Sequence, residues 1–285
     1  MRSSDAQAFV ATSTAGGDEF VVTGGHKYAV PSGAAGRTVL RALGIDRQKA
    51  QPVPGLWLDL VPEGSPLDVF TLPGAGSTID TGVDGLERVG TPLEVDGRPY
   101  VLGRKGLLPL SRFAYTVYRS SSAAVGSPVQ KQASDVTRIK TISDPQAQPY
   151  PADWPQGTVS PFTRADAPCL LLRTHADSAA TVELAAPQSS APLVAQGTTR
   201  SVQTGHGALV QATSGGVIGS GTTFLVDPTG TRYAIGSKGA VPQAMTALGF
   251  SGVQPAAVPP SWLELFADGP SLTVAAAART SASQS

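Results

Sequence analysis

The chain has one cysteine, few charged residues and no long apolar segment. Cys169 is its only cysteine, which excludes an internal disulfide framework and a cysteine-based metal cluster. Charged residues make up 15% of the chain, and 21 basic side chains balance 21 acidic ones, so the zero net charge offers no attraction to nucleic acid or an anionic membrane. No apolar run approaches the ~18 residues that span a bilayer, and Met1–Ser4 lacks the apolar region of a signal peptide.

The rest of the composition is that of a globular protein with many turns. Hydrophobic residues are 41% of the chain, which is enough for real cores. A length of 285 residues favours about two bodies. The 32 glycines and 24 prolines are typical of a chain with many hairpins and loops.

One segment of about 50 residues occurs twice, which indicates a duplicated structural repeat. It runs from Phe20 to Leu67 and again from Phe224 to Leu272, and a constant offset of 205 aligns its members without a gap. The matched pairs are Gly25 and Gly230, Tyr28 and Tyr233, Leu43 and Leu248, Gly44 and Gly249, Pro54 and Pro259, Trp57 and Trp262, Leu60 and Leu265, Gly64 and Gly269, and Leu67 and Leu272.

The later copy predicts a hairpin, a helix, a proline-rich link and a short helix. Asp227–Gly230 has turn chemistry between two short apolar strands. Val241, Ala244, Met245 and Leu248 lie on one face of a helix that Gly249 ends. The segment 260–266 begins with proline and predicts a short helix. Such a repeat is too small to bury a full core, so we expect repeats to pack on each other or on a common body.

The remaining segments complete an α+β chain in which hairpin-plus-helix repeat domains flank a central β-rich domain. Tyr100–Pro109 matches Tyr233–Pro242 at an offset of 133, and a helix should follow up to Tyr118, but no tryptophan helix comes after it. Short strands are predicted at 8–10, 169–173, 181–184 and 208–212. The predicted domains are a repeat at 17–72, a partial second repeat at 73–122, the central β-rich domain at 123–223, a repeat at 224–277 and a disordered tail at 278–285.

Together these segments resemble the EccB family, membrane components of the actinobacterial type VII (ESX) secretion system. The resemblance rests on FVVTGGHKYAVPS, on ALGI followed by PVPGLWLDLVPEGSPL, on VGTPLEVDGRPYVLGRKGLLPLS, on GHGALV, and on FLVDPTGTRYAI with ALGF and VPPSWLELFADGPSL. It implies a short cytoplasmic tail, one transmembrane helix and a large extracytoplasmic part, in which repeats similar to the cell-wall-binding folds of phage lysins flank a central β domain.

The resemblance therefore implies a structural and assembly component of a secretion complex, anchored in the cell membrane and working on its periplasmic side. The implied partners are other membrane components of the complex, further copies of the chain and peptidoglycan, with no nucleic acid. The family's transmembrane helix and first repeat are missing here, so we expect Met1 to be an engineered or truncated start. Cys169 lies where the downstream cysteine of a family disulfide would lie, and its partner would come before Met1.

Nucleotide hydrolysis is the alternative to a structural role, because an ATPase activity has been attributed to the family that the chain resembles. The segment 219–223 has the glycines of a phosphate loop, but no lysine follows and a strand comes next. The segments 236–239 and 103–106 are both expected to enter helices, yet each lacks the full spacing. Lys238 is the best single candidate for a lysine that takes part in hydrolysis, and Lys105 is the corresponding residue of the second repeat. We favour simple turns at all three places, and we predict no catalytic, cofactor or metal residue.

Other chemistry has weaker support in the sequence. The three histidines His26, His175 and His206 are scattered, Asp177 is the only acid near one of them, and no nucleophile elbow surrounds a serine. Trp57 and Trp262 could be sugar platforms, but their equivalent places favour anchors for the short helices. Lys27 and Arg232 are most simply solvated strand ends.

Overall fold

The computed structural model describes residues 5–45, 50–162, 169–175, 178–185, 206–213, 221–236 and 239–276. The chain divides into two compact units. The first unit contains Met1–Gly55 and Val61–Ala165, and the second contains Leu56–Leu60 and Asp166–Ser285. The predicted tail at 278–285 lies outside the described residues, as do Lys238 and Asp177.

The described residues form short strands and short helices. The strands are β1 Asp5–Ser13, β2 Glu19–Thr23, β3 His26–Ala29, β4 Gln51–Val53, β5 Glu63–Gly64, β6 Pro92–Val95, β7 Arg98–Gly103, β8 Gly106–Pro109, β9 Val129–Lys131, β10 Thr158–Pro161, β11 Cys169–His175, β12 Ser178–Ala185, β13 Ala208–Ala212, β14 Thr223–Val226, β15 Thr231–Ala234, β16 Ala256–Val258 and β17 Ala267–Asp268. The α-helices are α1 Gly33–Ala42, α2 Gly55–Asp59, α3 Arg112–Arg119, α4 Val241–Ala247 and α5 Pro260–Leu263.

The first sheet of the first unit has the order β10-β1-β2-β3-β5, with β4 also beside β1. Strands β1, β2 and β3 are antiparallel neighbours. Strand β4 pairs in parallel with β1, and β5 pairs in parallel with β3. Helix α1 connects β3 to β4, which crosses over to pair in parallel with β1. Strand β10 pairs with the start of β1, from Asp5 to Ala8.

The second sheet of the first unit repeats this arrangement with the order β8-β7-β6-β9. Helix α3 connects β8 to β9, and a 3-10 helix at Ala133–Val136 follows β9. A parallel bridge from Leu107 to Thr141 stands where β3 pairs with β5 in the first sheet. The second repeat is therefore complete in its order of elements. The last helix of this repeat is a 3-10 helix that buries Val136. It contains no tryptophan, so the sequence does not predict it by likeness to the other repeats.

The predicted register of the second repeat is wrong. Tyr100 lies in β7 and Tyr233 lies in β15, but β7 has the topological place of β14 and β8 that of β15. The turn between Gly103 and Gly106 joins β7 to β8 and does not enter a helix. The two segments share YxxGxKG, although β8 begins at Gly106 in one and helix α4 begins at Val241, soon after Gly239, in the other.

The sheet of the second unit has the order β16-β13-β14-β15-β17, which is the order β4-β1-β2-β3-β5 of the first. Tyr28 pairs with Gly64 and Tyr233 with Gly269, while Lys27 pairs with Glu63 and Arg232 with Asp268. All four positions differ by the predicted offset of 205. The duplication is thus confirmed at the level of strand register.

A two-stranded hairpin of β11 and β12 also belongs to the second unit. Both strands fall where the sequence predicts them, and Cys169 pairs with Ala185 at one end. Cys169 is half-buried, and burial raises the pKa of its thiol. The predicted fold class, α+β with hairpin-plus-helix repeats and further β structure, is confirmed.

One core holds the first two repeats together. Buried residues of both sheets and of α1 and α3 form a single hydrophobic cluster. Trp154 and Tyr150, from a proline-rich segment, complete it: the Trp154 Nε1 donates to the carbonyl of Pro66 at 3.2 Å, and the backbone N–H of Ser111 donates to the hydroxyl of Tyr150 at 2.8 Å. The expectation that repeats pack on each other holds within this unit.

Candidate interaction surface

Helices α1 and α4 end in the same way, which fixes the equivalence of the first and third repeats residue by residue. Gly44 and Gly249 follow the helices with φ values of 66° and 81°. The N–H of Ile45 donates to the carbonyl of Leu40 at 3.0 Å, and that of Phe250 donates to Met245 at 2.8 Å. This is a Schellman ending, in which glycine supplies the left-handed residue.

Leu43 and Leu248 occupy the same place in these two endings but have different surroundings. Each is the C-cap residue of its helix. Leu43 is 5% exposed and belongs to the core that the first and second repeats share. Leu248 is 40% exposed. The sequence predicts Val241, Ala244, Met245 and Leu248 on one face of the helix, and of these four the structure buries Ala244 and Met245.

A cleft of about 360 Å³ opens beside α4 in the second unit. Strands β13 and β14, helix α4 and the loop after it contribute side chains to its walls, and no ionisable residue is among them. The lining residues are Gln211, Thr223, Val241, Pro242, Met245, Thr246, Phe250, Ser251, Gly252, Val253 and Pro255.

The cleft has polar groups both deep in its wall and at its surface, where Thr246 and Ser251 are exposed. Gln211 is 8% exposed and its Nε2 donates to the carbonyl of Gly221 at 3.0 Å. Thr223 is 2% exposed. Among the apolar lining residues, Val253 is 49% exposed. We name Val241, Met245, Leu248 and Val253 the α4 face.

The sequence contains a signal for this surface that is not a motif. Residues 239–263 include no ionisable side chain. At the offset of 205, the first repeat has Arg37 and Arg41 where the third has Pro242 and Thr246, and both arginines are exposed. Further along the same stretch, Asp46, Arg47 and Lys49 correspond to Ser251, Gly252 and Gln254. The solvent side of the first repeat is charged, and the corresponding side of the third repeat is uncharged.

Charged groups of the third repeat concentrate instead around its hairpin. Arg232 Nε lies 2.6 Å from Asp268 Oδ1, and this contact lowers the pKa of the Asp268 carboxyl. The Arg232 guanidinium also lies 5.6 Å from the centre of the Phe224 ring. In the first repeat Lys27 lies 5.7 Å from the ring of Phe20. These two cations therefore stabilise the hairpins at matching strand positions.

Asp227 closes the hairpin turn of the third repeat. Its Oδ1 accepts from the N–H of Thr229 at 2.9 Å and of Thr231 at 3.0 Å, and its Oδ2 accepts from the Tyr233 hydroxyl at 3.1 Å. Hydrogen bonds from Thr229, Thr231 and Tyr233 lower the pKa of this carboxyl. A carboxylate so fully engaged by its own turn acts as a structural acceptor.

The candidate residues for catalysis that the structure describes lie in separate turns and strand ends. Lys105 is exposed in the turn between β7 and β8. His26 opens β3 and is exposed, and His206 is exposed just before β13. The side chain of His175 and the residues Gly219, Ser220 and Lys238 lie outside what the structure describes. Within the described part of the chain, no group of three or more His, Cys, Asp or Glu residues could hold a metal ion.

The paired tryptophans lie in or against cores. Trp57 is 9% exposed. Trp262 is half-buried against the cluster of Val210, Val226, Val258 and Leu263, and its Nε1 donates to the carbonyl of Leu60 at 2.9 Å within the second unit. Burial of this kind favours anchors over open sugar platforms.

None of the described helices has the length and apolar character that crossing a membrane requires.

Three solved structures share this fold. A chain of the EccB3 dimer from the ESX-3 core complex is 21% identical with a TM-score of 0.67, over 96% of this chain and 72% of that one. A chain of an intact ESX-5 inner membrane complex is 20% identical with a TM-score of 0.63, over 95% and 58%. A chain of the periplasmic assembly from the ESX-5 inner membrane complex is 18% identical with a TM-score of 0.60, over 94% and 69%. At these identities the likeness shows the fold alone.

No curated protein matches the sequence. A family model does: the one described as "Type VII secretion system ESX-1, transport TM domain B" covers residues 2–283. Because this match spans nearly the whole sequence, the chain belongs to the EccB family of type VII secretion proteins.

Proposed function

We propose that the chain is the extracytoplasmic structural part of a type VII secretion membrane complex, and that it supports protein export by holding other components of the complex in place. The observation that carries this proposal is the family match over residues 2–283, joined to a fold made of three hairpin-plus-helix repeats. Repeat domains commonly present extended binding surfaces, which suits assembly.

The proposed location is the periplasmic side of the cell membrane, and the proposed partners are membrane components of the complex and further copies of this chain. Two of the structural neighbours are chains of the ESX-5 inner membrane complex or its periplasmic assembly, and a third is a dimer. The zero net charge supports protein partners over nucleic acid.

A tagged copy of the gene's full product tests this function in a host that uses the secretion system. We expect the other membrane components to co-purify with it in mild detergent, and deletion of the gene to stop export while re-expression restores it. Normal export and a complex of normal size after deletion would contradict the proposal.

Peptidoglycan is a further proposed partner, because the repeats resemble cell-wall-binding folds. Sedimentation of the purified chain with insoluble cell wall tests it. Retention that soluble wall fragments compete away would support this contact, and recovery of the whole chain in the supernatant would remove it from the list of partners.

A further inference from the structure

We infer that the second repeat carries a basic surface that binds an acidic segment of a partner protein. This surface consists of Arg104, Lys105, Arg138 and Lys140, all of which are exposed. We name these four residues the β7–β8 patch. The inference rests on the proposed function, because it gives the surface and the chemistry through which another component of the complex would be held.

The charges of the chain are unevenly distributed, although their sum is zero. Residues 91–141, which form the second repeat, include eight basic and three acidic side chains, so this segment has a net charge of +5. Two of the three acids have partners within the repeat: Glu94 Oε1 lies 3.6 Å from Arg112 Nη1, and Asp135 Oδ2 accepts from the N–H of Gln132 at 2.8 Å. Among the described residues, no acid forms an ion pair with the β7–β8 patch.

The backbone brings these cations together at one end of the second sheet. Arg104 and Lys105 form the turn that joins β7 to β8. Beside this turn, the N–H of Leu107 donates to the carbonyl of Lys140 at 2.8 Å, and a Cβ on Gly106 would lie 3.5 Å from the Cβ of Lys140. Like charges held this close raise the local positive potential, which attracts anions and selects partners by charge.

The fold of a repeat does not require these charges. The turn that joins β2 to β3 in the first repeat has two glycines, Gly24 and Gly25, in the places of the two turn cations. Lys140 corresponds to Pro62, whose carbonyl accepts from the N–H of Lys27 at 2.9 Å. The same strand pairing therefore forms without a cation at any of these three positions, so a structural need does not explain them.

Arg104 is held against the backbone of a neighbouring loop. A Cβ on Gly74 would collide with the guanidinium group of Arg104, and this glycine has a φ of 76°. A side chain that is already packed loses less conformational entropy when it binds a partner. The planar fork of a guanidinium group also matches a carboxylate, to which it can donate two hydrogen bonds.

Acidic side chains border the β7–β8 patch near Arg138. A Cβ on Gly82 would lie 3.9 Å from the Nη1 of Arg138, and Asp80 and Asp84 are exposed on either side of this glycine. The loop beside Arg104, residues 73–79, has no acidic side chain. The positive charge is therefore strongest at the two turn cations and at Lys140.

The surroundings of the patch favour the carboxylates of a protein over a lipid surface or a nucleic acid. Binding to a membrane surface combines cations with apolar side chains that enter the lipid, and the large exposed apolar residues of the described chain all lie outside residues 91–141. Single-stranded nucleic acids stack their bases on aromatic rings. In this segment Tyr100 is half-buried, and the other three aromatic residues are buried.

Fluorescence anisotropy of a labelled oligoglutamate peptide, titrated with the 285-residue chain, tests the inference. We expect saturable binding that weakens as salt is added, because the screening length falls to about 8 Å at physiological ionic strength. Lys105→Glu/Lys140→Glu should weaken this binding at least about tenfold. Arg37→Glu/Arg41→Glu is the matched control, since it makes the same change of net charge at two exposed arginines of α1, and it should bind as the native chain does.

Thermal unfolding by circular dichroism separates loss of binding from loss of folding. Lys105→Gln/Lys140→Gln is the second variant. It removes the two charges without reversing them and should weaken binding in the same direction. A native chain that shows no saturable binding would overturn the inference, as would an equal loss of affinity in the patch variant and in the α1 control.

Vesicles of phosphatidylglycerol and phosphatidylcholine are the competing probe. We expect the native chain to stay in the supernatant when such vesicles are sedimented. Recovery of the native chain with the vesicles, lost in Lys105→Glu/Lys140→Glu, would overturn the inference in favour of a lipid surface. None of these results would touch the proposed function, which co-purification and export decide.

Discussion

Gly64 lies against the ring of Tyr28, so closely that a Cβ on this glycine would be 2.3 Å from the tyrosine Cε1. Gly269 stands in the same relation to Tyr233, at 2.4 Å. Both pairs are also strand neighbours, on β3 with β5 and on β15 with β17. The duplicated glycine and tyrosine therefore mark one packing arrangement that the two repeats share.

This contact predicts that Gly64→Ala and Gly269→Ala each destabilise the protein. The added methyl must displace a tyrosine ring, and overpacking of this kind costs about 1–3 kcal/mol. Chemical denaturation measures the loss. Gly55→Ala is the control, because a Cβ there meets nothing within 4 Å, and it should change the free energy of unfolding by less than about 0.5 kcal/mol. Equal stability of Gly64→Ala and Gly55→Ala would contradict the packing argument.

The sequence predicts the first and third repeats well because the residues that shape them are the same. Gly44 and Gly249 end helices, and Trp57 and Trp262 occupy matching short helices. These requirements are local or concern a nearest neighbour, so they leave identical residues in identical places.

The sequence predicts the second repeat less well because the shape of this repeat depends on different residues. Its last helix buries Val136, and its core is completed by Tyr150 and Trp154 from a segment without apolar periodicity. The exposure of Leu248 could not be predicted either. It depends on which repeat packs beside the helix, and that information is tertiary.

The hydroxyl groups of Tyr115 and Tyr118 in α3 have different surroundings. Replacement of each tyrosine by phenylalanine should therefore have opposite effects on stability. Tyr118 is fully buried, and its hydroxyl donates to the carbonyl of Gly90 at 2.8 Å. Tyr115 is 2% exposed, and its hydroxyl has no hydrogen-bond partner among the described residues. Burial raises the pKa of both, that of Tyr118 to about 12.

Tyr118→Phe should therefore destabilise the protein by about 0.5–1.5 kcal/mol, because it removes the buried hydrogen bond from the hydroxyl to the Gly90 carbonyl. Tyr115→Phe should be neutral or stabilising, since it removes a buried polar atom that gains nothing. Denaturant titration of both variants measures the difference. The prediction fails if Tyr115→Phe is the more destabilising of the two.

The hydrogen bonds of Asp227 predict that the free energy of unfolding depends on pH in the acidic range. Its folded pKa is lowered by the hydrogen bonds of its turn, so its contribution is fully present above the unfolded value near 3.8 and is lost as the pH falls through the folded pKa. Asp227→Asn cannot accept with both side-chain atoms and should be less stable at neutral pH. The gap between variant and native protein should narrow below pH 3.8, as followed by denaturation at several pH values. A gap that stays constant into acid would show that charge plays no part in the turn.

The position of Lys105 predicts that the chain does not hydrolyse ATP. Phosphate sites combine backbone N–H groups at a helix N-terminus with a lysine, and electrostatic stabilisation of the transferring group supplies nearly all of the catalysis. Lys105 is exposed between Gly103 and Gly106 in a turn that joins two strands, so the chain continues from it into β8 rather than into a helix. We expect phosphate release by the purified chain to stay at the level of contaminants and to be the same in the Lys105→Ala/Lys238→Ala variant. Hydrolysis that follows the protein peak on a sizing column and disappears in the double variant would instead make the chain an enzyme.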